Sequence, residues 1–208
     1  LLMSCLHPDI FKFVGKKKDR TKVTGANISV QLTNEFLQAV KEDEDFIKTC
    51  DVPGPTKSEI RAILLYKSNV TADDVVVDIG CGTGGLTTEF SLRAKKVYSL
   101  DKNPEALTIT EKNLKKSGRF ECVDLIENDG VSALKDIDSF DIAIVGGSGR
   151  DMEPILDLVD EKLNSKGRIL IPCILVDTKV ESVNKLKSLG YNPQIVEINV
   201  SKGRVIDR

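Results

Sequence analysis

The sequence predicts a doubly wound α/β fold built on a mostly parallel sheet. Three observations carry that expectation. Short runs rich in Val, Ile and Leu alternate with longer stretches of mixed polarity, the runs are apolar almost throughout, and the first ends in a glycine cluster, "VVVDIGCGTGG" at 75–85. A strand that is apolar on both sides must be covered on both faces, as in a parallel sheet layered between helices. Ligands of such sheets sit beyond the carboxyl ends of the strands, where the strand order reverses. The glycine cluster stands at such an end.

The elements follow in order. Before the first strand, "VPGPTKSEIRAILLYKSNV" (52–70) sets Thr56 three residues ahead of Glu59, the spacing of a capping box, followed by an apolar stripe at Ile60, Ile63 and Leu64. Strands are expected at 75–79, 97–101, 123–127, 140–145, 168–174 and 194–200, and helices at 85–94, 104–117, 151–163 and 178–189. Residues 1–45 differ. A basic run, "VGKKKDRTK" (14–22), and an acidic one, "KEDEDF" (41–46), frame a weakly signalled helix near 33–40. The reading is an N-terminal arm or extension over 1–45, its charge runs facing water, and one domain over 46–208.

Composition removes several classes of function. The chain has 208 residues, 40% hydrophobic and 30% charged, enough for one domain with a substantial core. A net charge of -2 gives no broad basic face, so no nucleic-acid partner is expected. No apolar run approaches ~20 residues, and "LLMSCLHPDIF" is too short for a signal peptide, so no membrane partner is expected either. The five cysteines are scattered without a C-x-x-C pair, which reads as reduced thiols in a cytoplasm. The single histidine, His7, rules out a Ser-His-Asp triad and a His-rich metal site in the core, so no metal is assigned.

The glycine loop satisfies two patterns. Gly80, Gly82 and Gly85 spell the dinucleotide fingerprint G-x-G-x-x-G, and Gly80, Gly82 and Gly84 the G-x-G-x-G of an S-adenosylmethionine (SAM) loop. The acids decide between them. Asp101 closes the second strand, where a carboxylate would accept the ribose hydroxyls. Asp129 closes the third, near where adenine would lie, and Asp78 on the first strand would attract the ammonium of the methionine tail, directly or through water. A dinucleotide predicts nothing for Asp129 and needs a further substrate domain. The ordered series favours SAM. Each acid also has a plainer reading, Asp101 as a cap for "KNPEAL" and Asp129 as a cap for a helix at 131. Cys81 reads as a small, passive side chain in a crowded turn.

The segments "DEDFIK", "VPGPTKSEIR", "VDIGCGTGG", "VYSLDKNPEAL", "DIAIVGGSG", "KGRILI" and "NVSKGRVIDR" resemble the decarboxylating carbon-15 methyltransferases of cobalt-precorrin-6B/7 in the anaerobic route of cobalamin biosynthesis. The resemblance runs from about Asp45 to the end. It implies the seven-stranded, Rossmann-like fold of class I SAM methyltransferases, a homotetramer, and a carbon-5 methyltransferase as pathway partner. It implies SAM contacts at Thr56, at Gly80, Cys81, Gly82, Thr83 and Gly84, at Asp101, and at Asp129 and Gly130. It further implies a cobalt-precorrin tetrapyrrole at Gly146, Gly147 and Ser148, where backbone N–H groups would be donors, with Arg204 and Arg208 as clamps for its carboxylates. Asp207 is a candidate for proton transfer. The family has a final strand after the closing "DR" that inserts between the fifth and sixth, so the chain is expected to continue past Arg208. Two alternatives stay open: a class I methyltransferase for another target such as tRNA adenosine, and a non-catalytic SAM- or nucleotide-binding module.

Overall fold

The computed structural model describes residues 2–4, 29–31, 37, 41, 56–147 and 151–200. The chain divides into two compact units, Leu1–Asp51 and Val52–Arg208. In the first, β1 (Leu2–Ser4) and β2 (Ser29–Gln31) pair in parallel. The expected helix at 33–40 falls largely outside the described residues.

The second unit is a five-stranded parallel sheet in the order β5-β4-β3-β6-β7. Its strands are β3 (Val75–Ile79), β4 (Lys96–Asp101), β5 (Val123–Glu127), β6 (Phe140–Val145) and β7 (Leu163–Leu170). Helices α1 (Ser58–Ser68), α2 (Gly85–Ser91), α3 (Pro104–Ser117), α4 (Gly130–Lys135), α5 (Met152–Lys162) and α6 (Val176–Ser188) accompany them. The chain builds outward from β3 through β4 to β5, then returns to the other side of β3 with β6. The order therefore reverses between β3 and β6, which fixes where a ligand can lie.

Alternation along β3 sorts the two cores. Val77 and Ile79 pack with Leu134, Phe140, Leu156 and Leu186, while Val76 packs with Leu86, Phe90, Val97 and Leu114 on the opposite face. Both clusters consist of residues 0–8% exposed, which is why these strands are apolar on both sides. Asp78 shares the parity of Val76, so its side chain enters the second core. Its register partner Ser99 lies beside it.

Local signals set the helix ends. Asn103 accepts from the Glu105 N–H at 2.9 Å ahead of Pro104, and α3 stops at Gly118, whose φ of 68° is left-handed. The capping box at Thr56 and Glu59 does not form. Lys57 occupies the position before α1 with no side-chain cap, and the carbonyl of Thr56 instead accepts from Arg61 Nη1 at 2.7 Å.

Two expected strands are corrected. β7 begins at Leu163 and ends at Leu170, not over 168–174; its pairing jumps from Phe140↔Leu163 to Ile142↔Arg168, so residues 164–167 bulge out of the ladder. Residues 194–200 form no strand. Among the described residues the sheet has five strands where the resemblance implied seven. Ile195, Val196, Ile198 and Val200, with Ile174, Leu175 and Val176, leave their apolar side chains exposed at this end of the chain. Among the described residues, no helix is long and apolar enough to cross a membrane.

Candidate cofactor site

The loop after β3 is held open by its own backbone. Gly80, Gly82 and Gly84 have φ values of 74°, 57° and 73°, whereas Gly85 is already the first residue of α2. Positive φ is what a glycine supplies at low cost. The structure thus uses the three alternate glycines, and Gly85 serves as helix. Two of the three are also required by space. A Cβ at Gly80 would lie 2.7 Å from the backbone of Gly147, and one at Gly84 would overlap the Thr110 side chain. A Cβ at Gly82 would meet nothing within 4 Å. That bare edge is the open face of the loop.

Hydrogen bonds fix the loop from three sides. The N–H groups of Gly80 and Cys81 donate to the Leu100 carbonyl at 2.8 and 3.0 Å. The Gly82 N–H donates to Asp101 Oδ2 at 2.8 Å, and Asp101 Oδ1 accepts from the Asn103 N–H at 2.9 Å. From α3, Thr110 Oγ1 donates to the Gly82 carbonyl at 3.0 Å and Asn113 Nδ2 to the Thr83 carbonyl at 2.9 Å. Asp101 is half-buried at the end of β4 and does not cap α3, a role Asn103 takes. Each of its oxygens holds one backbone N–H, which leaves acceptor capacity for a diol.

Asp78 lies underneath. It is 1% exposed, and its Oδ2 accepts from Thr87 Oγ1 at 2.7 Å, with Ser99 Oγ 2.8 Å from the same hydroxyl. Burial pushes its carboxyl up to about 6 against the lowering effect of the Thr87 bonds. Of the two expectations for Asp78, a direct ammonium contact does not fit this burial, and attraction through water stays a proposal. Its carboxylate faces the interior and holds Thr87 of α2. Burial, with Asp78 nearby, pushes the Cys81 thiol up to about 12, which keeps it neutral and unreactive.

Asp129 does act as the helix cap that its plainer reading expects. It is exposed and caps α4, accepting from the Ser132 N–H at 2.9 Å, and these hydrogen bonds hold its carboxyl below the usual range. Gly130 opens α4, where a Cβ would fit tightly, 3.0 Å from side-chain atoms of Ile79 and Ile155. At the end of β6, Gly146 and Gly147 are exposed, but both N–H groups donate to the Ile79 carbonyl at 2.9 and 3.1 Å. The expectation that these amides serve a substrate as donors is corrected: they stitch β6 to β3. Ser148, Arg204, Asp207 and Arg208 lie outside the described residues. Thr56 enters the described structure through its carbonyl, held by Arg61. A cavity of about 300 Å³ lies elsewhere, lined by Lys95, Lys96, Gly118, Arg119, Glu121 and Cys122 where β4 begins, at the opposite end of the sheet from the loop.

The sequence reading missed Thr87, Thr110 and Asn113. The signal for the last two was available: they stand three apart on one helix, so they share a face.

The model of the precorrin methyltransferase domain matches residues 54–208. The chain belongs to this family. A relative from Methanobrevibacter smithii, named probable cobalt-precorrin-6B C(15)-methyltransferase (decarboxylating), is 63% identical over 166 residues, 80% of this chain and 89% of that protein. Among solved structures of precorrin enzymes, precorrin 8W decarboxylase from Methanobacterium thermoautotrophicum is 44% identical, with 78% and 87% of the two chains covered and a TM-score of 0.74. Precorrin-6y C5,15-methyltransferase from Geobacter metallireducens is 33% identical, covers 76% and 83%, and has a TM-score of 0.69. A SAM-dependent O-methyltransferase from Thermotoga maritima, 21% identical with a TM-score of 0.59, shares the fold alone. The precorrin methyltransferase domain therefore has the Rossmann-like architecture of class I methyltransferases, with the glycine loop at its strand-order reversal.

Proposed function

We propose that the chain binds SAM across the bare edge of Gly82 and methylates carbon 15 of a cobalt-precorrin tetrapyrrole, with loss of the ring C acetate carboxyl group as carbon dioxide. The reading rests on one juxtaposition: an open glycine loop whose central N–H is held by the strand-end carboxylate Asp101. The 63% identical relative, named for this reaction, supports it.

The residues fit the cofactor. Gly82 presents backbone with open space beside it, and Asp101 has acceptor capacity for the ribose hydroxyls. Asp129 and Gly130 would lie toward the adenine, and Thr56 would add a further contact to the cofactor. When bound, SAM supplies an electrophilic methyl group on a sulfonium. The chain's part is to hold donor and carbon nucleophile in line at roughly 3–3.5 Å and to exclude water. The conjugated macrocycle would supply the electron pair for the new bond to carbon 15 and take up the pair released when the carboxyl group leaves, so the chain's residues need only bind and orient it. Gly146 and Gly147, exposed and without side chains, let a flat macrocycle approach the end of β6. Ser148, Arg204 and Arg208 would hold its carboxylates, and Asp207 would move a proton. A cytoplasmic homotetramer working in cobalamin biosynthesis beside a carbon-5 methyltransferase completes the proposal.

Incubation with cobalt-precorrin-6B and SAM, followed by mass spectrometry, tests it. Gain of one methyl with loss of carbon dioxide is expected. Methylation of tRNA instead, or SAM binding without turnover, contradicts it.

A further inference from the structure

We infer that Thr110, with Asn113 one turn further along α3, is a positioning residue for the cofactor: it sets the peptide planes around Gly82 so that the loop meets SAM already shaped. This deepens the proposed function and rests on it.

The two peptides flanking Gly82 are each held by a side chain, one from β4 and one from α3. Asp101 holds the N–H of the first at 2.8 Å, and Thr110 holds the carbonyl of the second at 3.0 Å. Asn113 repeats the contact one residue later, at the Thr83 carbonyl. A glycine at φ 57° has no side chain to resist rotation, so its conformation depends on those partners. Thr110 is completely buried, and its methyl and hydroxyl occupy the volume that a side chain at Gly84 would need. One residue thus fits the loop twice, by shape and by hydrogen bond. Asn113 is exposed and acts by its amide alone. Neither residue borders the open edge of Gly82, so both act through the loop. The free energy of ordering a flexible turn is then met on folding and does not weaken cofactor binding.

Thr110→Val keeps the shape and removes the donor, Thr110→Ser keeps the donor, and Asn113→Ala removes the second donor at an exposed position. Titration of each full-length variant with SAM, by calorimetry, is the test, with thermal unfolding alongside. Thr110→Val is expected to weaken SAM about tenfold, the scale of one lost hydrogen bond. Thr110→Ser is expected to recover most of that loss, and Asn113→Ala to weaken SAM about threefold to tenfold with no change in melting temperature. With cobalt-precorrin-6B, KM for SAM rises while kcat at saturation is held. If Thr110→Val does not fold, Asn113→Ala decides. Unchanged SAM affinity in folded variants, while the unaltered chain binds SAM, overturns this inference alone. Failure of the unaltered chain to bind SAM overturns the cofactor reading and this inference with it.

Discussion

Asp101 Oδ2 accepts the backbone N–H of Gly82 at 2.8 Å, which makes the acid at the end of β4 and the turn after β3 one unit. The carboxylate thereby serves the loop and remains half-exposed for a ligand. Asp101→Ala removes both functions. SAM affinity is expected to fall by about 1.5–3 kcal/mol, roughly tenfold to a hundredfold, the range for hydrogen bonds to a charged group. Calorimetric titration measures it, and an unchanged dissociation constant would count against the ribose assignment.

Gly82 and Gly84 separate ligand space from packing space. Gly84→Ala sets a Cβ against Thr110 at φ 73° and is expected to lose about 2–4 kcal/mol of stability. Gly82→Ala meets no neighbour, so its stability cost is expected to stay near 1–2 kcal/mol, from the left-handed backbone alone. Its SAM affinity should nevertheless fall at least tenfold, on the order of 1.4 kcal/mol, because the new methyl stands where the adenosyl group would pass. Urea unfolding and SAM titration on both variants make the comparison. Equal binding by Gly82→Ala would move the ligand off this edge.

Asp78 gives the fold a pH dependence. Its carboxyl is pushed up from the usual 3.8 to about 6 in the folded chain, so between about pH 4 and 6 the folded state keeps a proton that the unfolded state has lost. Stability from this group is therefore full below about pH 4, declines as pH rises to about 6, and is constant above. The total loss is about 3 kcal/mol. Asp78→Asn can still accept from Thr87 and carries no charge to bury. It is expected to be more stable than the unaltered chain at pH 7.5 by up to about 3 kcal/mol, with the gap closing toward pH 4. Urea midpoints at pH 4.5, 6 and 7.5 check this. A variant less stable at pH 7.5 would show that the charge is favourable where it stands.

Far from the loop, Arg168 Nη2 lies 2.6 Å from Asp74 Oδ1 and ties β7 to the turn before β3. Asp74 is only 9% exposed, so Arg168→Met leaves it short of a partner and is expected to lower stability by about 1–3 kcal/mol. SAM affinity should not change, which makes this variant the control for loss of stability without loss of binding.

The parts of the fold legible in the sequence were those decided locally. Val75–Ile79, Val123–Glu127 and Phe140–Val145 were expected with those bounds, because each is a short apolar run between turn residues. Residues 194–200 carry the same pattern, yet form no strand: pairing needs a neighbour, and alternation does not supply one. Thr56 and Glu59 had the spacing of a capping box, but the helix starts one turn position later than that spacing requires. In the site, the glycines and Asp101 were readable from their spacing. The depth of Asp78 was not, since a strand-end acid that faces a ligand and one that faces a buried threonine are spelled alike. Likewise the amides of Gly146 and Gly147 could be assigned only once β6 lay beside β3.

A crystal structure of the chain grown with S-adenosylhomocysteine tests the central claim most directly. The account predicts the adenosyl group across Gly82, with both ribose hydroxyls within about 2.5–3.2 Å of Asp101 and the adenine toward Asp129. A nucleoside bound away from this loop, or an Asp101 side chain turned from it, would contradict the account.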